Sequence, residues 1–159
     1  MPIPVYGIAA WSGVGKTTFI VAMVEVLKSK GIKVGVLKHD AHSFDIDREG
    51  KDTFRFSSAG AEVVAIASAD RAVVMENRYV SFDKIISLMR DVDIILVEGY
   101  KNTDIPKIGL YRALSGKPLA GDDFCCIVTD VRIDMDVPQF GFDEADKVVD
   151  FLLKRESLK

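Results

Sequence analysis

Cysteine is scarce in this chain of 159 residues, which contains only the adjacent pair Cys125 and Cys126. Vicinal cysteines rarely pair with each other, so we expect both to be inert packing residues of a cytoplasmic protein. No apolar run approaches the roughly 20 residues that a membrane helix needs, and the N-terminus lacks the basic start of a signal peptide. These absences argue against membrane spanning and against secretion.

A strong basic excess is also missing, since 21 Lys and Arg residues face 24 Asp and Glu residues for a formal charge of -3. A general nucleic-acid binder usually carries such an excess, so we expect no nucleic-acid partner. The chain has no repeat, low-complexity tract or Pro/Gly-rich linker. Together with 48% hydrophobic residues, this predicts one globular domain over residues 1–159.

Short apolar runs alternate with helical periodicities along the chain. The first run, Val5–Ala9, precedes a helical pattern that ends at Gly31, and later patterns predict helices near residues 51–59, 82–89 and 145–153. Further strands are predicted at residues 32–37, 62–67, 71–76, 94–97, 108–111 and 124–128. The pair at 62–67 and 71–76 suggests a hairpin. We therefore predict a three-layer α/β fold whose central sheet is mostly parallel but mixed, with its ligand at the carboxyl ends of the strands.

The strongest chemical signal lies between the first strand and the first helix. Residues 10–18 read Ala-Trp-Ser-Gly-Val-Gly-Lys-Thr-Thr and match G-x-x-x-x-G-K-[ST] at every fixed position except Ala10. The glycines let backbone N–H groups face a polyphosphate, and the helix adds its positive dipole end. We expect Lys16 to reach the β and γ phosphates and the Thr17 hydroxyl to bind Mg²⁺. The predicted nucleotide contacts are Ser12, Gly13, Val14, Gly15, Lys16, Thr17 and Thr18.

An acidic residue on a neighbouring strand should hold the Mg²⁺ shell. Asp91, Asp93 and Glu98 flank the apolar run at 94–97. Because a strand rises about 3.3 Å per residue, Asp93 lies roughly 16 Å upstream of Glu98. Only Glu98 reaches the carboxyl end of the strand, so we assign it the metal-binding role. Glu98 and Lys16 are the predicted catalytic residues, and Asp91 and Asp93 are expected to lie at the entry of the strand.

A polar loop after the second predicted strand contains two histidines and several carboxylates. His39 and His42 are three residues apart and could bind a transition metal, although neither a helix nor a cysteine supports this. A solvated loop is a second interpretation. The third is a switch-like segment that binds a second substrate or the water shell of Mg²⁺, with Asp40 and Asp47 as its carboxylates.

The stretch from residue 101 to residue 117 is basic, because Lys101, Lys107, Arg112 and Lys117 face only Asp104. One interpretation is an ordinary solvated surface. In the other, Lys101, Lys107 and Arg112 project toward the mouth of the phosphate loop and touch an anionic ligand.

Several segments, taken in order, resemble the molybdopterin-guanine dinucleotide biosynthesis protein MobB family. They are residues 9–18, Lys-His-Asp-Ala-His-Ser-Phe-Asp-Ile-Asp at 38–47, Gly-Lys-Asp-Thr-Phe-Arg at 50–55, Val-Glu-Gly-Tyr-Lys at 97–101, Pro-Lys-Ile at 106–108 and Thr-Asp at 129–130. The resemblance implies a P-loop GTP-binding protein with weak GTPase activity, usually a homodimer. Such a protein would assist the guanylyltransferase that joins a GMP unit to molybdenum cofactor.

The resemblance also assigns roles to residues. By this resemblance, residues 12–18 would bind GTP and Glu98 would be the acidic residue at the strand end. The family's second-strand loop would correspond to His39, Asp40, His42 and Asp47. The guanine signature N-K-x-D is absent, and Asp130 at the end of a late strand is the nearest candidate to read the guanine edge. The choice of GTP over ATP therefore rests on the resemblance.

A second function class remains open on the same fold, a small-molecule kinase or an ATP-dependent ligase. A kinase normally carries an arginine-rich lid that clamps the transferred phosphate. After Arg90, the only arginines are the scattered Arg112, Arg132 and Arg155. This favours the adaptor over the kinase.

Overall fold

Six strands form one sheet in the computed structural model, which describes residues 2–40, 44–100 and 102–158. The strands of the chain are β1 (Val5–Ala9), β2 (Val34–Lys38), β3 (Val63–Ala67), β4 (Ala72–Glu76), β5 (Ile94–Glu98), β6 (Lys107–Tyr111), β7 (Cys126–Thr129) and β8 (Gln139–Phe140). The helices are α1 (Lys16–Ser29), α2 (Asp52–Ser58), α3 (Phe82–Leu88) and α4 (Ala145–Glu156), with a 3₁₀ turn at Ala113–Ser115. The chain divides into a first unit, Met1–His39 with Asp91–Lys159, and a second unit, Asp40–Arg90.

The sheet of the first unit has the strand order β2-β5-β1-β6-β7-β8. Every described pairing in it is parallel, so the carboxyl ends of these strands lie at one edge. The α/β class and the mostly parallel sheet are confirmed. The expected mixture is wrong for this sheet, because the antiparallel pair β3 and β4 forms a separate two-stranded sheet.

Helices α1 and α4 cover one face of the six-stranded sheet with their apolar sides. The buried residues of α1 recur at helical spacing and include Phe19, Met23 and Leu27. Gly31 has φ of +75° and follows the helix as its predicted cap, and the next N–H, of Ile32, bonds to the carbonyl of Leu27. The predicted C-terminal helix is confirmed as α4.

Central strands of the first unit are buried on both sides. Ile94, Ile95, Leu96 and Val97 are all fully buried in β5, as a continuously apolar central strand should be. Cys126 lies in the core and Cys125 packs against it, both as free thiols, which confirms their packing role. None of the helices described has the length and apolar character needed to cross a membrane.

The second unit contains α2, the β3–β4 hairpin and α3. The hairpin joins Val63 to Glu76 and Ala67 to Ala72 in antiparallel register, as the sequence predicts. Ser81 caps α3 by accepting a hydrogen bond from the N–H of Lys84 at 3.3 Å, which confirms the predicted helix start.

Candidate functional site

The phosphate-loop segment joins the end of β1 to the start of α1. Gly13 and Gly15 have φ of +84° and +105°, backbone angles that residues other than glycine rarely adopt. Backbone in this conformation can turn successive N–H groups into one concavity. No acidic residue lies in the first turn of α1, so the positive end of the helix dipole has no competing carboxylate of its own. The backbone conformation at these two glycines therefore suits the predicted phosphate loop.

The Lys16 ammonium group lies over this loop. Its Nζ donates to the carbonyl oxygens of Ala10 at 3.1 Å and Trp11 at 3.0 Å. A phosphate oxygen is a stronger acceptor for an ammonium group than a neutral carbonyl. The Lys16 ammonium group therefore lies at the loop that is predicted to hold the phosphates.

Thr17 and Glu98, the two residues predicted to bind Mg²⁺, contact each other. The Thr17 hydroxyl donates to Glu98 Oε2 at 3.3 Å. Strand register explains the contact, because β5 pairs with β1 and places Glu98 opposite Ile8, just before the loop. A hydroxyl and a carboxylate are hard oxygen ligands that suit Mg²⁺, which takes few protein ligands beside phosphates and water.

The competing acids lie at the other end of β5. The Asp93 carboxylate accepts a hydrogen bond from the Lys33 N–H at 2.7 Å, just before the strands β2 and β5 begin. Asp91 also precedes β5, in a left-handed turn with φ of +59°. Both aspartates occupy the strand entry, as predicted.

His39 lies directly beside the acidic strand end. The backbone N–H of His39 donates to the Glu98 carbonyl at 2.8 Å, and the centroid of its ring is 4.3 Å from that of the Tyr100 ring. Gly99, with φ of +99°, allows this approach, since a Cβ there would lie 2.8 Å from the His39 Cβ. The loop after β2 is therefore packed against the end of β5 at His39.

The other predicted switch residues are not part of the described first unit. Asp40 and Asp47 belong to the second unit. There, Asp47 Oδ1 accepts hydrogen bonds from the Arg48 N–H at 2.9 Å and from the Thr53 hydroxyl at 3.0 Å. Asp47 therefore contacts the first turn of α2. His42 and Lys101 lie outside the described residues.

A transition-metal site receives no support from the described part of the chain, where no group of three or more His, Cys, Asp or Glu side chains could hold a metal ion.

Asp130 follows β7 at the same edge of the sheet as the phosphate loop. Its Oδ1 accepts from the Ala113 N–H at 2.9 Å, which ties together the segments after β6 and β7. Asp130 also borders a small cavity of about 250 Å³, with Thr129, Arg132 and Phe140 among its other lining residues. A base-reading role for Asp130 remains a prediction.

The basic stretch is divided between the two ends of β6. Lys107 begins β6, and its ammonium group donates to the Thr103 carbonyl at 2.8 Å. Only Arg112 follows the carboxyl end. The expectation that Lys107 and Arg112 project toward one mouth is therefore wrong, because a five-residue strand separates them by about 16 Å.

Arg112 reaches the phosphate loop, as one interpretation of the basic stretch predicted, but the groups that it contacts there were not predicted. Its Nε donates to the Val14 carbonyl of the phosphate loop at 3.0 Å, and its guanidinium carbon lies 3.6 Å from the centroid of the Phe142 ring. The contact spans 98 positions of the chain, so no local pattern announces it. The one signal was its place in the basic stretch after an apolar run.

Comparisons with known proteins identify the family of this chain. A family model described as molybdopterin guanine dinucleotide synthesis protein B, MobB, matches residues 5–130, which include the phosphate loop, Glu98 and Asp130. The chain is 33% identical over 162 residues to the molybdopterin-guanine dinucleotide biosynthesis adapter protein of Escherichia coli strain K12, covering 96% of this chain and 93% of the relative. The protein of the same name from Haemophilus influenzae is also 33% identical, over 94% of this chain and 88% of its own length.

A solved structure shares the fold. The crystal structure of Bacillus subtilis MobB superposes with a TM-score of 0.79 at 27% identity, covering 96% of this chain and 98% of its own. Because the family model spans well over half of the chain, this protein belongs to the MobB family.

Proposed function

We propose that this chain works in the cytoplasm as a GTP-binding adapter protein in molybdopterin-guanine dinucleotide biosynthesis. The pathway is that of its relatives, which are described as adapter proteins of this biosynthesis. The observation that carries the nucleotide part is the Thr17 hydroxyl at 3.3 Å from Glu98, beside a loop with two left-handed glycines. Two oxygen donors of the kind that Mg²⁺ prefers, close to a loop of this conformation, support the binding of a nucleotide with Mg²⁺.

The residues fit a nucleotide with Mg²⁺. Lys16 and the N–H groups of residues 12–18 would hold the phosphates, while Thr17 and Glu98 would hold the metal ion. A bound Mg²⁺ would neutralise part of the phosphate charge. The chain's own contribution is to hold the triphosphate in one place, so we propose slow GTP hydrolysis as a by-product of a binding protein.

The proposed switch or second-substrate set consists of His39, Asp40, His42, Asp47 and Lys101. His39 supports this proposal best, because its N–H bonds to the Glu98 carbonyl and any movement of the loop after β2 would act on the acidic strand end. Through this connection the second-strand loop would respond to the nucleotide.

Asp130 is the proposed reader of guanine. A carboxylate can accept from both N–H donors of the guanine edge, whereas adenine does not offer that pair. The position after β7, at the carboxyl edge that holds the phosphate loop, supports this role. The Ala113 N–H fixes one carboxylate oxygen and thereby the orientation of the group.

The proposed partners are the guanylyltransferase of the pathway, molybdopterin or molybdenum cofactor, and a second copy of this chain. The adapter would present GTP or the cofactor to the transferase and would itself transfer nothing.

Calorimetric titration with GTP and with ATP, each with and without Mg²⁺, tests the nucleotide part. We expect GTP to bind more tightly than ATP, and Mg²⁺ to increase the affinity for GTP. Glu98→Gln should reduce this increase, whereas Lys16→Ala should abolish nucleotide binding altogether. The proposal would be overturned by a folded wild-type chain that binds neither nucleotide. Nucleoside diphosphate that forms only when a small-molecule acceptor is added, with the γ-phosphoryl group found on the acceptor and not as free phosphate, would indicate a kinase instead of an adapter.

A further inference from the structure

Arg112 contacts the phosphate loop from outside the loop itself. It follows β6, the strand on the side of β1 away from β5. Its Nε donates to the Val14 carbonyl at 3.0 Å, and its Nη2 lies 3.9 Å from the place that a Cβ on Gly15 would occupy. The guanidinium group therefore touches the loop at its Val14–Gly15 peptide.

That peptide has a fixed internal geometry. A trans peptide is planar, and its C=O and N–H bonds point in opposite directions. When the Val14 oxygen is held by Arg112, the Gly15 N–H of the same peptide must point away from Arg112. Because Gly15 is the N-cap of α1, its N–H is among the donors that the helix leaves unpaired.

We propose that Arg112 is a positioning residue that locks the Val14–Gly15 peptide and so aims the Gly15 N–H at the bound phosphate. The inference rests on the proposed nucleotide function. It adds a residue from the segment after β6 to a site otherwise built from the loop after β1 and the end of β5. Peptide rotation in a glycine-rich loop costs little, so an external clamp is what keeps the cradle formed before the ligand arrives.

The surroundings of Arg112 explain why an arginine suits this position. Its guanidinium plane lies over the Phe142 ring, with 3.6 Å from the central carbon to the ring centroid. Phe142 in turn packs edge-on against Phe19 of α1, with 6.1 Å between centroids. The arginine is thus held between a fixed aromatic ring and the loop, which a flexible lysine cannot reproduce.

Charge adds to this geometry. Arg112 takes part in no ion pair with a carboxylate in the described ranges, so its positive charge is not cancelled by a direct partner. It therefore contributes to the positive potential at the loop alongside Lys16.

The test measures nucleotide affinity in matched variants. Arg112→Gln should raise the Kd for GTP and for GDP by roughly tenfold or more, the effect of one charge-assisted hydrogen bond. Arg112→Lys should fail to restore wild-type affinity, because it lacks the planar group. Phe142→Leu should weaken binding in the same direction by a smaller factor. Arg71→Gln, an exposed arginine in the turn between β3 and β4, is the control and should bind as the wild type does.

A second readout separates positioning from general stability. In ¹⁵N–¹H spectra the Gly15 amide of the wild type should shift strongly when GDP is added. In Arg112→Gln this shift should shrink, while the thermal midpoint stays within a few degrees of the wild type. If Arg112→Gln does not fold, the same two measurements on Phe142→Leu decide, and an unchanged Kd with an unchanged Gly15 shift would refute the clamp.

The outcomes distinguish this inference from the proposed function. If the wild type binds GTP and Lys16→Ala loses it, but the Arg112 variants bind within twofold of wild type, the clamp is wrong and nucleotide binding stands. If the wild type does not bind GTP or GDP at all, the proposed function fails and the clamp fails with it.

Discussion

The Thr17 hydroxyl donates to Glu98 Oε2 at 3.3 Å, which connects the first turn of α1 to the carboxyl end of β5. The two residues are 81 positions apart in the chain. Parallel pairing of β1 with β5 is what brings them together, since it sets both strand ends at the same level. These two side chains are the ones that we propose would hold Mg²⁺.

Glu98→Gln should keep nucleotide affinity in the absence of Mg²⁺ but reduce the gain in affinity that Mg²⁺ gives. The amide preserves the shape of the side chain and removes the charge that a divalent ion needs. Slow GTP hydrolysis should fall with it. Titrations with and without Mg²⁺, together with phosphate-release measurements, check both effects.

Asp93→Asn is the matched control for that variant. The Asp93 side chain accepts a hydrogen bond from Lys33 at the entry of β5, and an asparagine oxygen can still accept it. We therefore expect little effect on Mg²⁺ dependence. If Asp93→Asn removed the Mg²⁺ effect and Glu98→Gln did not, the assignment from strand ends would be reversed.

Lys16→Ala should abolish tight nucleotide binding while the chain stays folded. The ammonium group contacts loop carbonyls at 3.0 and 3.1 Å, and each charge-assisted bond to phosphate that it would form instead is worth about 1.5–3 kcal/mol. Calorimetry with GTP measures the loss, and circular dichroism checks the fold. Unchanged affinity in the folded variant would contradict the phosphate-loop assignment.

The phosphate loop and the acidic strand end could be predicted because both depend on local pattern. Gly13 and Gly15 were placed by spacing alone, and their positive φ values follow from the turn that this spacing requires. Glu98 was placed by counting residues along a continuously apolar strand. In both cases the local sequence alone determines where the residue lies.

Other features escaped prediction because they depend on contacts between distant segments. The β3–β4 hairpin was predicted, but alternation within two strands does not say which sheet they join. Strand β8, Gln139–Phe140, is too short to show any periodicity. Arg112 was predicted to point toward the phosphate loop, but it meets the Val14 carbonyl only because β6 pairs with β1, so this contact could not be derived from the sequence.

Asp130→Asn should weaken GTP binding by roughly tenfold or more and leave ATP binding nearly unchanged. The asparagine oxygen can still accept from the Ala113 N–H, so the loop should hold, but one carboxylate acceptor for guanine becomes a donor. Asp134→Asn, an exposed acid four residues on, is the control. Equal losses for GTP and ATP would indicate that Asp130 supports the loop and does not read the base.

Alkaline pH should destabilise the protein through Tyr6. This side chain is fully buried, its hydroxyl donates to the Glu156 carboxylate, and its pKa is raised by burial and then by that hydrogen bond. A raised pKa means that the folded state favours the protonated phenol. The contribution to stability is therefore complete below the ordinary tyrosine pKa of about 10 and is lost as pH rises above it.

Tyr6→Phe should remove much of that alkaline loss, at a cost of about 1 kcal/mol near neutral pH from the missing hydrogen bond. Urea midpoints between pH 7 and 11 measure both effects. Tyr79→Phe is the control, because that side chain is 91% exposed. Equal pH profiles for wild type and Tyr6→Phe would contradict the role of the buried phenol.

Gly99→Ala should disturb the acidic strand end more than an ordinary glycine replacement does. Gly99 has φ of +99°, and a Cβ there would lie 2.8 Å from the His39 Cβ and 3.0 Å from the His39 carbonyl oxygen. The strained backbone costs about 1–2 kcal/mol and the overpacking about 1–3 kcal/mol, so we expect a loss of roughly 3 kcal/mol in the free energy of unfolding.

Gly31→Ala is the matched control. Gly31 also has a positive φ, of +75°, but no atom lies within 4 Å of its Cβ position, so only the first penalty applies. Because His39 binds the Glu98 carbonyl, its displacement should also weaken the Mg²⁺ effect on GTP binding in Gly99→Ala and leave it intact in Gly31→Ala. Equal destabilisation of the two variants, with Mg²⁺ dependence retained in both, would contradict the packing of His39 against the strand end.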